Sequence, residues 1–164
     1  MNEERVEQYT IVVTVLNRIG VMARITSLLS ARGYNIESVI AAPTENPDIF
    51  RVHLVLWGTE KRIEQVVKQL HKLIDTIRVT DISHTGNYII REFVLVKVNG
   101  NRGSRNDIFN LVDVFNAKLV DVGTEQIVID LSGPRKKIDR FVELLKPYGI
   151  REMVRSGCVA ISEG

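Results

Sequence analysis

A glycine-containing junction near the N-terminus is the part of the sequence that most directly suggests ligand binding. Gly20 stands between an apolar strand-like run, residues 11–16, and a helix-like run that begins at Val21. The first turn of a helix has backbone N–H groups without intrahelical partners, and a glycine allows the chain to curl so that they converge on a carboxylate or phosphate. The junction therefore predicts a small-anion site or, as the alternative, a tight turn that binds nothing.

A second polar signal lies at the other end of the same predicted helix. Asn35 follows Arg32, Gly33 and Tyr34 and precedes Ile36. Its side-chain amide carries both donors and an acceptor, and such groups fix the orientation of small polar ligands. Together with the Gly20 junction, Asn35 favours a ligand pocket over a simple turn.

Residues with the types needed for catalysis or metal binding lack the spacing that such chemistry needs. His53, His71 and His84 fall on a strand face, a helix and a strand end, so each is interpreted as a structural, surface or partly buried residue. The sequence has no phosphate-binding Walker loop, no Gly-x-Ser-x-Gly and no strand-linked Gly-x-Gly-x-x-Gly. We therefore predict no catalytic residue and no metal site.

Composition is that of a globular chain of one to two domains, with 164 residues and 45% hydrophobic content. The 22 Lys and Arg residues nearly balance the 20 Asp and Glu residues. The segment from Gly100 to Gly103 resembles the GxxG loop of RNA-binding KH domains, but it follows a strand, whereas a KH loop joins two helices. We therefore expect an ordinary loop there and no nucleic-acid partner.

The single cysteine, Cys158, excludes an internal disulfide framework and is interpreted as a buried thiol. No apolar run approaches the ~20 residues of a membrane helix, and the acidic N-terminal segment has no signal-peptide core. These features predict a cytoplasmic protein without a membrane partner.

Hydrophobic periodicity in the first half predicts two helices among four strands. The strand over 49–57 alternates, with Arg51 and His53 opposite its apolar residues, which predicts one buried face. The predicted strands cover 8–16, 36–43, 49–57 and 75–83, and the predicted helices cover 22–32 and 60–73.

The second half repeats this order. Strands are predicted over 88–98, 117–122, 126–131 and 151–161, with one helix after residues 99–104 and another opened by Pro134. The fold class is therefore α+β, with two tandem ferredoxin-like βαββαβ domains at 8–84 and 88–162. Such sheets leave edge strands that need a partner, so we expect a homodimer.

Five strings of residues resemble the small regulatory subunit of acetolactate synthase, also called acetohydroxyacid synthase, and together they span nearly the whole chain. The strings over 32–38 and 69–73 are specific to that subunit, whereas a glycine loop before a helix is shared by amino-acid-sensing ACT domains in general. The matching strings cover residues 17–24, 32–38, 42–44, 68–73 and 155–157.

The resemblance implies an N-terminal ACT domain that binds a branched-chain amino acid, usually valine, at a dimer interface. It implies that Asn17, Gly20, Val21 and Met22 form the effector loop and that Asn35 and Ile36 complete it from the partner protomer. The chemistry of valine agrees with this site. The helix N-terminus suits the valine carboxylate, and the amide oxygens of Asn17 and Asn35 suit its ammonium group. The apolar residues of the loop suit its branched side chain. No effector is assigned to the loop at 99–104.

The resemblance further implies a non-catalytic subunit that activates a separate catalytic subunit and confers feedback inhibition by valine or a related branched-chain amino acid. Thiamine diphosphate, Mg²⁺ and FAD are expected on that catalytic partner, and no cofactor is expected on this chain. The alternatives are an ACT-domain sensor that serves another enzyme or a transcriptional regulator, and a small stand-alone enzyme.

Overall fold

The computed structural model describes residues 5–163 of the chain. The order βαββαβ occurs twice, which confirms the predicted α+β class and tandem ferredoxin-like fold. Within these residues the strands are β1 (Glu7–Leu16), β2 (Ile36–Pro43), β3 (Ile49–Gly58), β4 (Thr76–Asp81), β5 (Tyr88–Asn99), β6 (Lys118–Val122), β7 (Gln126–Gly133) and β8 (Ile150–Ser162). The α-helices are α1 (Val21–Ala31), α2 (Glu60–His71), α3 (Arg105–Phe115) and α4 (Arg135–Leu145), and a short 3-10 helix, Lys146–Tyr148, follows α4.

The first repeat forms an antiparallel sheet in the order β2-β3-β1-β4. β1 is central and pairs with β3 over its whole length, from Glu7 opposite Gly58 to Leu16 opposite Ile49. β2 pairs with β3 alone among the described strands, so β2 is an edge strand. This arrangement brings the end of β1 and the start of α1 to one end of the sheet, where Gly20 lies.

The core of the first repeat lies between this sheet and its two helices. Alternate residues of the central strands face the helices, and each helix contributes residues at helical spacing. The fully buried members include Ile11, Val13, Val15, Val52, Leu54, Leu56, Ile25, Leu29, Val66 and Leu70.

The opposite face of β3 is also buried, so the predicted single buried face was wrong. His53 is 6% exposed and Val55 is 1% exposed. The reason is the C-terminal end of β8, where the Ala160 carbonyl accepts a hydrogen bond from His53 Nε2 at 3.1 Å. Burial lowers the pKa of His53, and the nearby Arg51 lowers this pKa further.

Some helix ends lie at residues suited to those positions. The Thr59 side chain accepts a hydrogen bond from the Arg62 N–H at the start of α2, and Pro134 precedes α4. Asn116 adopts the left-handed conformation, φ 51°, where α3 ends. No helix within residues 5–163 is long and apolar enough to span a membrane.

The second repeat forms a sheet in the order β6-β7-β5-β8. β5 and β7 pair from Glu92 opposite Gly133 to Asn99 opposite Gln126. Cys158 on β8 is buried, as predicted. The core between this sheet and its helices includes Val94, Val96, Val98, Ile108, Ile127, Ile129, Leu131, Ile138, Phe141 and Leu145.

The chain divides into two compact units that nearly follow the repeats. One unit contains the residues up to Ile89 together with those from Ala160 onward, and the other contains Ile90–Val159. The C-terminal end of β8 is thus grouped with the first repeat. The domain boundaries at 8–84 and 88–162 stay a prediction.

Candidate functional site

The turn between β1 and α1 has a backbone conformation that favours glycine. Gly20 precedes the first residue of α1 with φ 83° and ψ 0°, in the left-handed region. A Cβ placed on Gly20 would lie 3.2 Å from Arg24 Nη1. A side chain at this position would therefore be strained by the backbone and crowded by a guanidinium.

The first turn of α1 leaves backbone donors available. The Val21 N–H donates to the Arg18 carbonyl at 3.1 Å, and the Arg24 N–H donates to the Gly20 carbonyl at 3.0 Å. The N–H groups of Met22 and Ala23 lie between these two bonds, before the first intrahelical partner. No side chain from the described residues caps this helix. The helix therefore begins with open donors that suit a carboxylate.

A buried carboxylate organises the same turn. The Asp75 side chain is 2% exposed and pairs with Arg18 at 3.3 Å and, more closely, with Arg24. The Asp75 backbone carbonyl also accepts the Leu16 N–H at 2.9 Å. Two guanidinium groups and one carboxylate leave one net positive charge beside the helix N-terminus. The local field therefore favours an anionic group.

Asn17 is held in place by the turn that precedes β3. Its backbone N–H donates to the Asp48 carbonyl at 2.8 Å. Its side-chain Nδ2 donates to the Pro47 carbonyl at 3.1 Å. These two bonds use the backbone donor and one of the two Nδ2 hydrogens, and they leave the side-chain oxygen as an available acceptor.

The predicted apolar wall divides into core and surface residues. The Val21 side chain is 5% exposed and belongs to the core. Met22 and Ile36 are only partly buried and pack against that core. Met22 and Ile36 are thus the two predicted apolar residues with side-chain surface left for a ligand.

The structure does not bring all predicted site residues together within one chain. Asn17, Gly20 and Met22 lie at the start of α1, whereas Asn35 and Ile36 follow its end. α1 has 11 residues, and a helix of that length spans roughly 16 Å at ~1.5 Å per residue. A small amino acid cannot contact both ends of α1 in the same protomer.

Sequence reasoning missed the roles of Arg24 and Asp75. Arg24 stands four residues after Gly20, and this spacing places it on the same helix face, which was a usable signal. Asp75 is one acidic residue in the short segment between α2 and β4, and its burial follows from tertiary packing alone.

The corresponding junction in the second unit is occupied by a side chain of its own. At the start of α3, Arg105 Nη2 donates to the carbonyls of Gly100, Gly123 and Thr124 at 3.0, 2.6 and 3.0 Å. In the second unit a guanidinium thus occupies the loop carbonyls beside the junction, while α3, like α1, begins without a cap from any described side chain.

Comparison with known families agrees with the two repeats. A family model described as AHAS small subunit-like ACT domain matches residues 11–78, and a model of the small subunit of acetolactate synthase matches residues 91–164. The two matches together cover most of the chain.

Curated relatives and a solved structure match the chain over nearly its full length. The probable acetolactate synthase small subunit of Archaeoglobus fulgidus is 40% identical over 96% of this chain and 98% of its own. The Bacillus subtilis acetolactate synthase small subunit is 41% identical over 94% of this chain and 90% of its own. The crystal structure of the Thermotoga maritima acetolactate synthase small subunit superposes with a TM-score of 0.86 at 33% sequence identity. The superposition covers 96% of this chain and 98% of that one. The chain belongs to the acetolactate synthase small-subunit family and carries the ACT domain of that family.

Proposed function

We propose that this chain is the regulatory subunit of an acetolactate synthase. It raises the activity of its catalytic subunit and makes that activity sensitive to valine or a related branched-chain amino acid. Thiamine diphosphate, Mg²⁺ and FAD belong to the catalytic subunit, and this chain supplies no catalytic group. Family membership supports the assignment of the catalytic subunit as the partner. The open turn at Gly20 supports the assignment of an amino-acid effector.

The three parts of valine each have a partner of suitable chemistry in the proposed site. The carboxylate accepts from the N–H groups at the start of α1, next to the net positive charge of the Arg18, Arg24 and Asp75 cluster. The ammonium donates to the free side-chain oxygen of Asn17. The branched side chain lies against Met22. One methylene in such a pocket is worth only about 1–3 kcal/mol, so discrimination among valine, leucine and isoleucine is modest.

A second protomer supplies Asn35 and Ile36 in this proposal. β2 is an edge strand, and its Val39 side chain is 42% exposed, so β2 and the neighbouring α1 form a surface suited to self-association. A two-fold axis perpendicular to α1 at this edge makes the two α1 helices antiparallel. The start of one helix then lies near the end of the other, which joins Gly20 of one chain to Asn35 of its partner.

Regulation follows from binding at a shared interface. An effector held between two protomers stabilises one arrangement of the pair, and the catalytic subunit responds to that arrangement. The unliganded pair stabilises the active state of the catalytic subunit, and valine shifts the assembly toward a less active one. Coupling of this kind is typically about 1–3 kcal/mol.

The observation that carries the effector assignment is the left-handed Gly20 at an uncapped helix start. We expect Gly20→Asp to abolish valine inhibition of the reconstituted enzyme while activation is retained. The substitution adds strain, crowds Arg24 and places a negative charge where the carboxylate binds. The measurement is acetolactate formation against valine concentration.

Gly103→Asp is the matched control, because Gly103 has no neighbour within 4 Å of an added Cβ. It should leave the inhibition curve unchanged. An unchanged curve for Gly20→Asp would remove the loop from the effector site. Failure of the unmodified chain to activate the catalytic subunit, with valine binding intact, would instead favour a sensor for another enzyme or regulator.

A further inference from the structure

Two arginines share the face of the first sheet that lies opposite its helices. Thr14 of β1 pairs with Arg51 of β3 on one side and with Arg78 of β4 on the other. Paired residues project to the same face, so the three form one row across the sheet. Strands are about 4.8 Å apart, so the two arginine Cα atoms are separated by roughly 10 Å, which their side chains can bridge.

This row lines a small cavity within the first unit. The cavity has a volume of about 90 Å³, and its polar lining includes the hydroxyl residues Thr14, Thr80, Tyr88 and Ser162. A water molecule occupies ~30 Å³ of liquid. The cavity is partly open to solvent and is large enough to hold a group the size of a phosphate.

The charge in the cavity is uncompensated. The side chain of neither Arg51 nor Arg78 forms an ion pair or a hydrogen bond with any part of the chain that the structure describes. None of the residues that line the cavity is acidic. Two positive charges therefore converge beside several hydroxyl groups without an internal counter-ion.

We propose that this cavity, the Arg51–Arg78 cradle, binds a phosphoryl group. Guanidinium groups donate paired hydrogen bonds to oxyanions, and two of them on opposite sides of Thr14 require a ligand with acceptors in several directions. A tetrahedral phosphate offers four oxygens in diverging directions, whereas a carboxylate, which can also pair with two guanidinium groups as Asp75 does, offers two. The divalent charge of phosphate also matches the two cations.

The cradle is distinct from the valine site proposed above. Its arginines come from the two strands that flank β1, and they lie on the face of the sheet away from α1. The source of the phosphoryl group is either free inorganic phosphate or a small phosphate monoester. Phosphate bound here would act as a second ligand of the ACT domain.

The test is calorimetric titration of the full chain with inorganic phosphate and, separately, with glycerol phosphate, at low ionic strength in a phosphate-free buffer. We expect saturable binding of one phosphoryl group per chain. Binding of inorganic phosphate alone would identify the free ion as the source, and binding of both ligands would extend the source to monoesters. Absence of saturable binding of either ligand would overturn the proposal.

Substitutions test the geometry of the cradle. Arg51→Gln and Arg78→Gln should each weaken binding by about tenfold or more, because each removes a charge-assisted bidentate contact. Arg78→Lys should recover part of the loss, since lysine keeps the positive charge but lacks the paired N–H donors of the guanidinium group. The control is Arg140→Gln on α4, an exposed position, which should leave binding unchanged. Equal affinity for the wild type and both glutamine variants, with each chain folded by circular dichroism, would also overturn the proposal.

Discussion

At the residue scale, Asp75 connects three parts of the effector turn. Its backbone accepts from the end of β1, and its side chain holds Arg18 before Gly20 and Arg24 after it. A buried carboxylate is tolerated only when it is paired, and here the pairing fixes two guanidinium groups beside the helix N-terminus. Asp75 therefore determines where the positive charge of the site lies.

We expect Asp75→Asn to weaken both folding and effector binding. Loss of charge-assisted hydrogen bonds should lower the free energy of unfolding by about 1–3 kcal/mol. Release of Arg18 and Arg24 should weaken valine binding by about tenfold, or ~1.4 kcal/mol. Urea unfolding and calorimetry measure the two effects. The exposed Asp113→Asn is the control, and valine affinity equal to wild type in Asp75→Asn would contradict the positioning role.

His53 provides a pH dependence with a defined sign. Because burial lowers its pKa in the folded state below the ordinary value of about 6.5, the unfolded chain takes up this proton more readily. The free energy of unfolding should therefore decrease as pH falls below about 6.5. His53→Gln keeps an N–H donor for the Ala160 carbonyl and should reduce this slope.

The measurement for His53 is urea unfolding at several pH values between about 5 and 8, the range in which a histidine titrates. His71→Gln, at an exposed position of α2, is the control and should retain the wild-type slope. A slope in His53→Gln as steep as that of the wild type would show that the buried imidazole is not responsible.

The sequence was informative about some residues of the candidate site and silent about others. Gly20 and Asn35 could be singled out because each flanks a periodic apolar segment, and such junctions are local features. Asp75 could not be singled out from the sequence, because its burial depends on strands and helices that are distant in the chain. His53 was misplaced for a similar reason, since Ala160 covers it from 107 residues away.

At the scale of elements, the sequence pattern located each α-helix and strand of the described residues, but not the short 3-10 helix Lys146–Tyr148. The predicted helix over 60–73 ends earlier, at His71, because the Lys72 N–H turns back to the Gln69 and Leu70 carbonyls. The last strand is longer than predicted and runs to Ser162. Element boundaries depend on such hydrogen bonds, which apolar spacing does not encode.

The second unit contains an ion-pair network that ties β5, β8 and α4 together. Arg155 pairs with Glu92 at 2.7 Å and with Asp139 at 2.8 Å. The Glu92 side chain is 4% exposed, and its hydrogen bond is the main cause of the raised pKa of Arg155. The string over 155–157, which carries part of the family resemblance, thus contains a structural residue.

Arg155→Gln should destabilise the second unit by about 2–4 kcal/mol, because it leaves Glu92 buried without its cation. Chemical denaturation of the full chain measures the change. Arg140→Gln on the same helix as Asp139 is the control and should change the free energy of unfolding by less than about 0.5 kcal/mol. A change of that small size for Arg155→Gln would show that the network is not stabilising.

At the scale of the whole molecule, the two repeats have the same element order and different junctions before their first helices. The junction before α1 has a left-handed glycine, Gly20, and a paired Asp75, whereas the junction before α3 has Arg105 bound to three loop carbonyls. The family follows from the sequence alone, since its strings span the chain. The contribution of a second protomer does not follow from the sequence, because an interface between chains leaves no periodic signal beyond an exposed edge strand.

The proposed valine site is built from Gly20 of one protomer and Asn35 of the other. In a mixed dimer of Gly20→Asp and Asn35→Ala chains, two-fold symmetry gathers both substitutions in one pocket and leaves the other pocket with wild-type residues. The most direct measurement is calorimetric titration of tag-selected mixed dimers with valine. A site shared in this way should bind valine again in the mixed dimers, at up to one site per mixed dimer, although each variant alone fails to bind. No recovery in mixed dimers, with each variant folded and dimeric, would contradict the shared site.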